Sequence, residues 1–246
     1  MTLWGYDLWS VTLAFARIGS LVMLMPGLGE AAVPARARLG FALLLSIILA
    51  PSVGDAPADI WGASGVIISE IAVGIVLGGV ARMLMTGLAT AGQIFGLETG
   101  LSFAQVADPT QTQAGQIIAV FLGLMGTVLV FATNLHHVFI RGIADSYQVF
   151  AVGKPFPIAD AADFALEAFS DAFRIGLQIA APVVVAGFVF RIGLGVLARL
   201  APSIQVFFVA MPLNILGGFI ILTLGLSSGM LVWLDRLQSF GAAGWR

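Results

Sequence analysis

The sequence predicts an all-α, polytopic integral membrane protein. Three observations predict it. Hydrophobic residues make up 59% of the chain and charged ones only 10%, with a mean hydropathy of +1.04, where soluble domains carry roughly 25% charged residues. Long uncharged stretches, separated by proline and glycine, are of a length suited to membrane helices. Thirty of 246 residues are glycine, well above the usual ~7%, which suits closely packed helices. The net charge of −2 gives no reason to expect a nucleic-acid partner, and the single lysine, Lys154, leaves no polybasic lipid-binding run. Without cysteine, disulfides and thiolate metal sites are excluded. Residues 1–7 carry no Lys or Arg, so the positive start of a signal peptide is missing and the first apolar segment is expected to stay uncleaved.

Residues 8–25 form the first apolar segment, with Arg17 near its middle. Arginine there is costly in lipid and normally faces protein or water, so it reads as half of an ion pair or as a pore- or partner-facing charge. Pro26-Gly27 ends the segment. The apolar run 39–50 is too short to span alone. It either extends back through Arg36 and Arg38 as a tilted helix or forms a re-entrant hairpin with the first segment. Residues 60–81 are long enough to span and carry Glu70 at their centre. Glu70 is a proton-relay carboxylate or, preferably, the partner of Arg17 or Arg191. Gly74 and Gly78 make a small-xxx-small packing face, and Arg82 is expected to close the helix.

The apolar run then continues from 83 to 103 into a different kind of stretch, residues 92–116. Gly92, Gly96 and Gly100 recur every four residues, on one helical face. Glu98 and Gln93, five apart, share no face well. Asp108-Pro109 breaks the pattern, and the polar run from Thr110 to Gln113 has no charge. An uncharged, polar, glycine-bearing segment between membrane helices is suited to line or close a passage. Residues 116–134 read as the clearest span, ending at His136-His137. Adjacent histidines point about 100° apart on a helix, which suits a helix end better than a shared metal.

Residues 141–174 are the polar connecting region, with Asp145, Asp160, Asp163, Glu167 and Asp171 against Arg141, Lys154 and Arg174. Residues 161–174 read as a partly amphipathic helix whose acids form a solvated face. The next apolar block, 175–200, holds Arg191, with a kink expected at Pro182. The last helix is expected to start at Pro212, where a first-turn proline is tolerated, and to run to about 237 with Gly225 and Gly229 on one face. The whole chain reads as one membrane domain, 1–246. No nucleophile–base set, metal-ligand set or phosphate cradle is present, so neither catalytic, cofactor-binding nor metal residues are assigned.

With those residues in hand, the chain resembles the FliR family of type III export gate subunits from about residue 15 to 234. Phe15-Ala-Arg-Ile-Gly, Pro26 and Val33-Pro-Ala-Arg carry the likeness at the start, followed by Glu70-Ile-Ala-Val-Gly-Ile-Val-Leu-Gly. Gly92-Gln, and Gly100-Leu-Ser-Phe-Ala with Asp108-Pro109, are its most specific part. Ala181-Pro182, Leu194-Gly-Val-Leu-Ala-Arg-Leu-Ala-Pro202, Val206-Phe-Phe-Val-Ala-Met-Pro212 and Gly217-Gly218 complete it. Leu135, Arg191, Ser203 and Gln205 depart from the family's usual residues.

The resemblance implies bent helical hairpins packed in a helical hetero-oligomeric export gate and raised out of the lipid plane. The implied partners are FliP-like and FliQ-like gate subunits, with FlhB-like and FlhA-like components alongside. Unfolded flagellar subunits pass through the gate, in the bacterial inner membrane at the centre of the flagellar basal body. It also implies a pore plug at residues 100–115, here Gly100, Leu101, Ser102, Phe103, Ala104, Gln105, Asp108, Pro109, Gln111, Gln113 and Gly115. Arg17, Glu70 and Arg191 are the charges to be buried in such an assembly. Rival readings are the homologous gate subunit of an injectisome, a small-solute secondary transporter, for which interrupted helices but no inverted repeats are visible, and an intramembrane enzyme.

Overall fold

The computed structural model describes residues 2–3, 6–30, 33–53, 60–102, 117–154, 156–201 and 206–243. They form seven α-helices: α1 (Leu8–Leu24), α2 (Ala35–Leu49, continued by one 3-10 turn, Ala50–Ser52), α3 (Ile60–Thr99), α4 (Ile117–Ala132), α5 (Leu135–Val149), α6 (Ile158–Leu200) and α7 (Val206–Ala243). Ahead of α1, Thr2–Leu3 and Tyr6–Asp7 pair as a two-residue antiparallel ladder. The fold is all-α, as the composition requires.

The helices are longer than the sequence reading made them. Arg82 does not close a helix: it is an exposed residue inside a 40-residue α3. No proline follows it, and the helical glycines between it and the helix end each cost only about 1 kcal/mol. The amphipathic stretch 161–174 and the apolar block after it are likewise one helix, the 43-residue α6, which continues through Pro182. Asp160 in its first turn and Arg199 in its last complement the helix dipole. The last helix begins at Val206 rather than at Pro212, which lies inside it, and ends at Ala243. Each internal proline removes one backbone hydrogen bond, a loss these long helices accommodate. α2 does extend back through Arg36 and Arg38.

Among the described residues three helices are long and apolar enough to cross a membrane, within Gly62–Thr99, Ile158–Leu200 and Ala210–Ser239. α4 and α5 pass the same test only together and are bent by 74°, at Asn134, which takes the left-handed conformation with φ 58°. Asparagine is among the few non-glycine residues that adopt it at small cost. At 1.5 Å per residue α3 is about 60 Å long, about twice the hydrocarbon core of a bilayer.

The chain forms two compact units. The first comprises Met1–Leu84, Thr127–Phe169 and Leu237–Arg246. Its core gathers Leu13, Ile18 and Leu21 of α1, Val73 and Leu77 of α3, and Phe139 and Ile143 of α5. Two glycines let α3 lie directly on α1. A Cβ on Gly74 would fall on the Arg17 carbonyl and the Ser20 hydroxyl, and one on Gly78 would come within 2.7 Å of the Leu21 carbonyl oxygen.

The second unit comprises Met85–Gly126 and Ser170–Arg236. Its core holds Leu88, Phe95, Leu122, Ile175, Val183 and Trp233. Close backbone approaches recur. A Cβ on Gly92 would strike the Ala119 backbone, and Gly87 and Gly176 face each other across α3 and α6. Many large apolar side chains on α3, α4, α6 and α7 stay exposed, among them Ile68, Leu124, Phe188 and Leu224, as expected of a surface that meets lipid or other subunits.

Candidate functional site

Within the second unit, α3 ends where the most specific sequence block begins. Gly100 takes φ +83°, a backbone conformation that favours glycine. Its N–H donates to the Leu97 carbonyl at 3.3 Å, and the Ser102 N–H returns to the Gly96 carbonyl at 3.1 Å, satisfying the last carbonyls of the helix. Thr99 is buried and donates its hydroxyl to the Phe95 carbonyl at 2.7 Å.

Two neighbouring helices hold this end in place. Arg191 of α6 donates to the Glu98 carboxylate, and Asn214 of α7 donates its side-chain amide to the Glu98 carbonyl at 2.7 Å. Gly187 makes room for that carboxylate and Gly218 for the Thr99 methyl group. Beside these contacts lies a mainly apolar cavity of about 370 Å³, lined by Leu97, Phe190, Leu194 and Met211 together with Gly100 and the Glu98–Arg191 pair.

The first unit has its own charged cluster. Each of the three nitrogens of Arg17 donates: Nε to Glu70 Oε2 at 2.6 Å, Nη2 to Glu70 Oε1 at 2.9 Å and to the Phe150 carbonyl at 2.7 Å, and Nη1 to the Ser146 carbonyl at 3.1 Å and hydroxyl at 3.2 Å. The two-point contact with a carboxylate is the strong form of this pair. The Ser146 and Phe150 carbonyls lie at the C-terminal end of α5, where a cation is favoured by the dipole. The Tyr147 ring stacks on the guanidinium with 4.1 Å between Cζ and the ring centroid. Arg17 and Glu70 are each 1% exposed. The Arg17 charge is spent on an opposite charge and on two carbonyls, and the Arg191 charge on an opposite charge, so both clusters tie helices together.

Of the residues singled out in the sequence, Arg17 and Glu70 meet, while Arg191 pairs with Glu98 instead. Glu98 and Asn214 were not singled out as a site. The available signal was a lone acid in an apolar helix, which needs a partner just as a lone arginine does. Gly92 and Gly96 are buried on one face of α3 and Gly100 terminates it. Gly229 faces Ile179 at 3.2 Å for an added Cβ, whereas a Cβ at Gly225 would meet open space. Leu101 and Ser102 continue the turn after α3. Phe103, Ala104, Gln105, Asp108, Pro109, Gln111, Gln113 and Gly115 lie outside the described residues. His136 and His137 open α5 with ring centroids 4.1 Å apart. Among the described residues no three His, Asp or Glu side chains gather as metal ligands.

Residues 8–240 match the family of bacterial export proteins, family 1. The chain is similar to the flagellar biosynthetic protein FliR of Caulobacter vibrioides, 43% identical over 95% of each chain. It is also similar to the FliR protein of Bacillus subtilis, 32% identical over 87% of this chain and 85% of that one. It matches the Yop proteins translocation protein T of Yersinia pestis at 27% identity over 72% of this chain and 70% of that one.

Proposed function

Because the chain belongs to the bacterial export proteins of family 1, the family of flagellar biosynthetic protein FliR, we propose that it is the FliR-type subunit of a flagellar type III protein export gate. With FliP-like and FliQ-like subunits it forms the channel through which unfolded flagellar proteins leave the cell. FlhB-like and FlhA-like components stand alongside, in the inner membrane at the centre of the basal body. The long helices with exposed apolar faces support a place among other subunits. The identity to the FliR proteins of Caulobacter vibrioides, 43%, and Bacillus subtilis, 32%, against 27% to the Yop translocation protein, supports flagellar export over an injectisome.

In this reading residues 100–115 are the plug of the resting channel. The observation that carries it is the end of α3: Gly100 turns the chain out of the helix at a point held by Arg191 and Asn214. A plug needs such a fixed root and a pliable body. The segment contains no basic residue that would hold an exported chain, and Gly100, Gly115 and Asp108-Pro109 are residue types that favour turns.

Deleting residues 105–113 makes the assembled gate leak ions, measured as conductance. Normal assembly with an unchanged leak overturns the plug. Co-expression with neighbouring gate subunits in mild detergent, weighed by native mass spectrometry, gives a stable heteromeric particle. A lone monomer or homodimer would instead favour a small-solute transporter, which uptake assays would then test.

A further inference from the structure

We propose that the cavity at the end of α3 receives one apolar side chain of an extended, uncharged polypeptide segment, whose backbone amide is met by Arg191 and Asn214. This deepens the gate reading and rests on it for one point, that such a segment arrives as part of an exported chain.

The cavity lies within the second unit. Its apolar wall is Leu97 of α3, Phe190 and Leu194 of α6, and Ala210 and Met211 of α7, and its volume of about 370 Å³ falls in the range that takes small ligands. Glu98, Arg191 and Asn214 meet at its polar corner, and none of them is used up among the described residues. Arg191 donates through Nη2 to Glu98, with Nε and Nη1 to spare. Asn214 donates its amide nitrogen to the Glu98 carbonyl and keeps Oδ1 as an acceptor. Glu98 accepts on Oε2 and keeps Oε1. Donors and acceptors thus stand side by side, and the charges of the pair cancel. That combination suits a peptide group, which offers a carbonyl and an N–H together. It suits an anionic head poorly, because the Glu98 carboxylate stands beside the arginine and repels it. A lipid tail or an apolar helix would leave the corner without a hydrogen-bonding partner.

Gly195 is an independent sign. It is exposed and stands one turn beyond Arg191 on the same face of α6. A Cβ there would meet nothing within 4 Å. Packing within the chain therefore does not call for glycine, although glycine weakens a helix. Its use is to let another backbone lie close, as that of a chain entering the cavity does.

The test uses the full chain in nanodiscs with the neutral peptide acetyl-Ala-photoleucine-Ala-amide, irradiated and mapped by mass spectrometry. Label falls on the cavity wall, and acetyl-Ala-Leu-Ala-amide displaces it where decanoate does not. Arg191→Gln lowers labelling about fivefold, the loss expected for one hydrogen bond. Gly195→Leu abolishes it, and because leucine is the better helix former this variant separates a blocked approach from a lost fold. Label spread evenly over the exposed faces of α6 and α7, displacement by decanoate, or labelling unchanged in Gly195→Leu overturns the proposal. The site and the gate fail separately. A heteromeric particle whose cavity stays unlabelled overturns the site alone, and a labelled lone monomer keeps the peptide site while overturning export.

Discussion

Arg17 with Glu70 and Arg191 with Glu98 are the same pair of residue types in different surroundings. The first pair is enclosed, with the arginine side chain 1% exposed, and Arg17 also reaches the end of α5 and the Tyr147 ring. The second sits beside a cavity, with the Arg191 side chain 58% exposed and Glu98 17%. Removing one partner of an enclosed pair leaves an uncompensated charge, which costs about 3–5 kcal/mol. A pair as open as Arg191–Glu98 contributes about 0–1 kcal/mol. The contrast separates a contact that holds three helices together from one whose use is to place the end of α3.

The comparison breaks most directly at Arg17. Arg17→Met destabilises the protein by about 3–5 kcal/mol, read from denaturant unfolding in detergent. Arg17→Met/Glu70→Leu recovers much of that loss, because apolar replacement of both partners removes the stranded charge. A single variant that unfolds like wild type would erase the distinction. A smaller effect, about 1–3 kcal/mol, is expected for Gly74→Ala, which pushes α1 off α3. Gly225→Ala, with open space at its Cβ, is neutral or stabilising by up to about 1 kcal/mol. The smallest stability effect belongs to Arg191→Gln, within about 1 kcal/mol of wild type. If residues 100–115 plug the gate as proposed, that variant nevertheless raises its resting conductance. Unfolding and leak measured on the same variant sharpen the contrast between holding and placing.

The membrane class, the helical fold and the need for Arg17 and Glu70 to find partners were all legible in the sequence, because each follows from the cost of a charge in an apolar segment. Which arginine meets Glu70 was not. Arg17 and Arg191 satisfy the same local rule, and the choice between them is made by packing across more than fifty residues of chain. Helix ends were misread for a related reason. Arg82 and Pro212 are local stop or start signals, but a helix supported along its length absorbs one exposed arginine or one missing hydrogen bond. By spacing alone Gly100 continues the row of Gly92 and Gly96. Only its backbone angle distinguishes it from Gly92, and spacing carries no information about that angle.

The many partners of Arg17 also impose an order on biosynthesis. During translation at about 5–20 residues per second, Glu70 follows Arg17 by roughly 3–11 s, and Ser146 and Phe150 by roughly 6–27 s. Until Glu70 is made, the nascent α1 presents a guanidinium with none of its final acceptors, and until α5 is made it lacks the Ser146 and Phe150 carbonyls. Something outside the chain, whether translocon, water or chaperone, must shelter the charge until Glu70 emerges. Chains stalled before Glu70 are therefore poor insertion products, however apolar their leading helices.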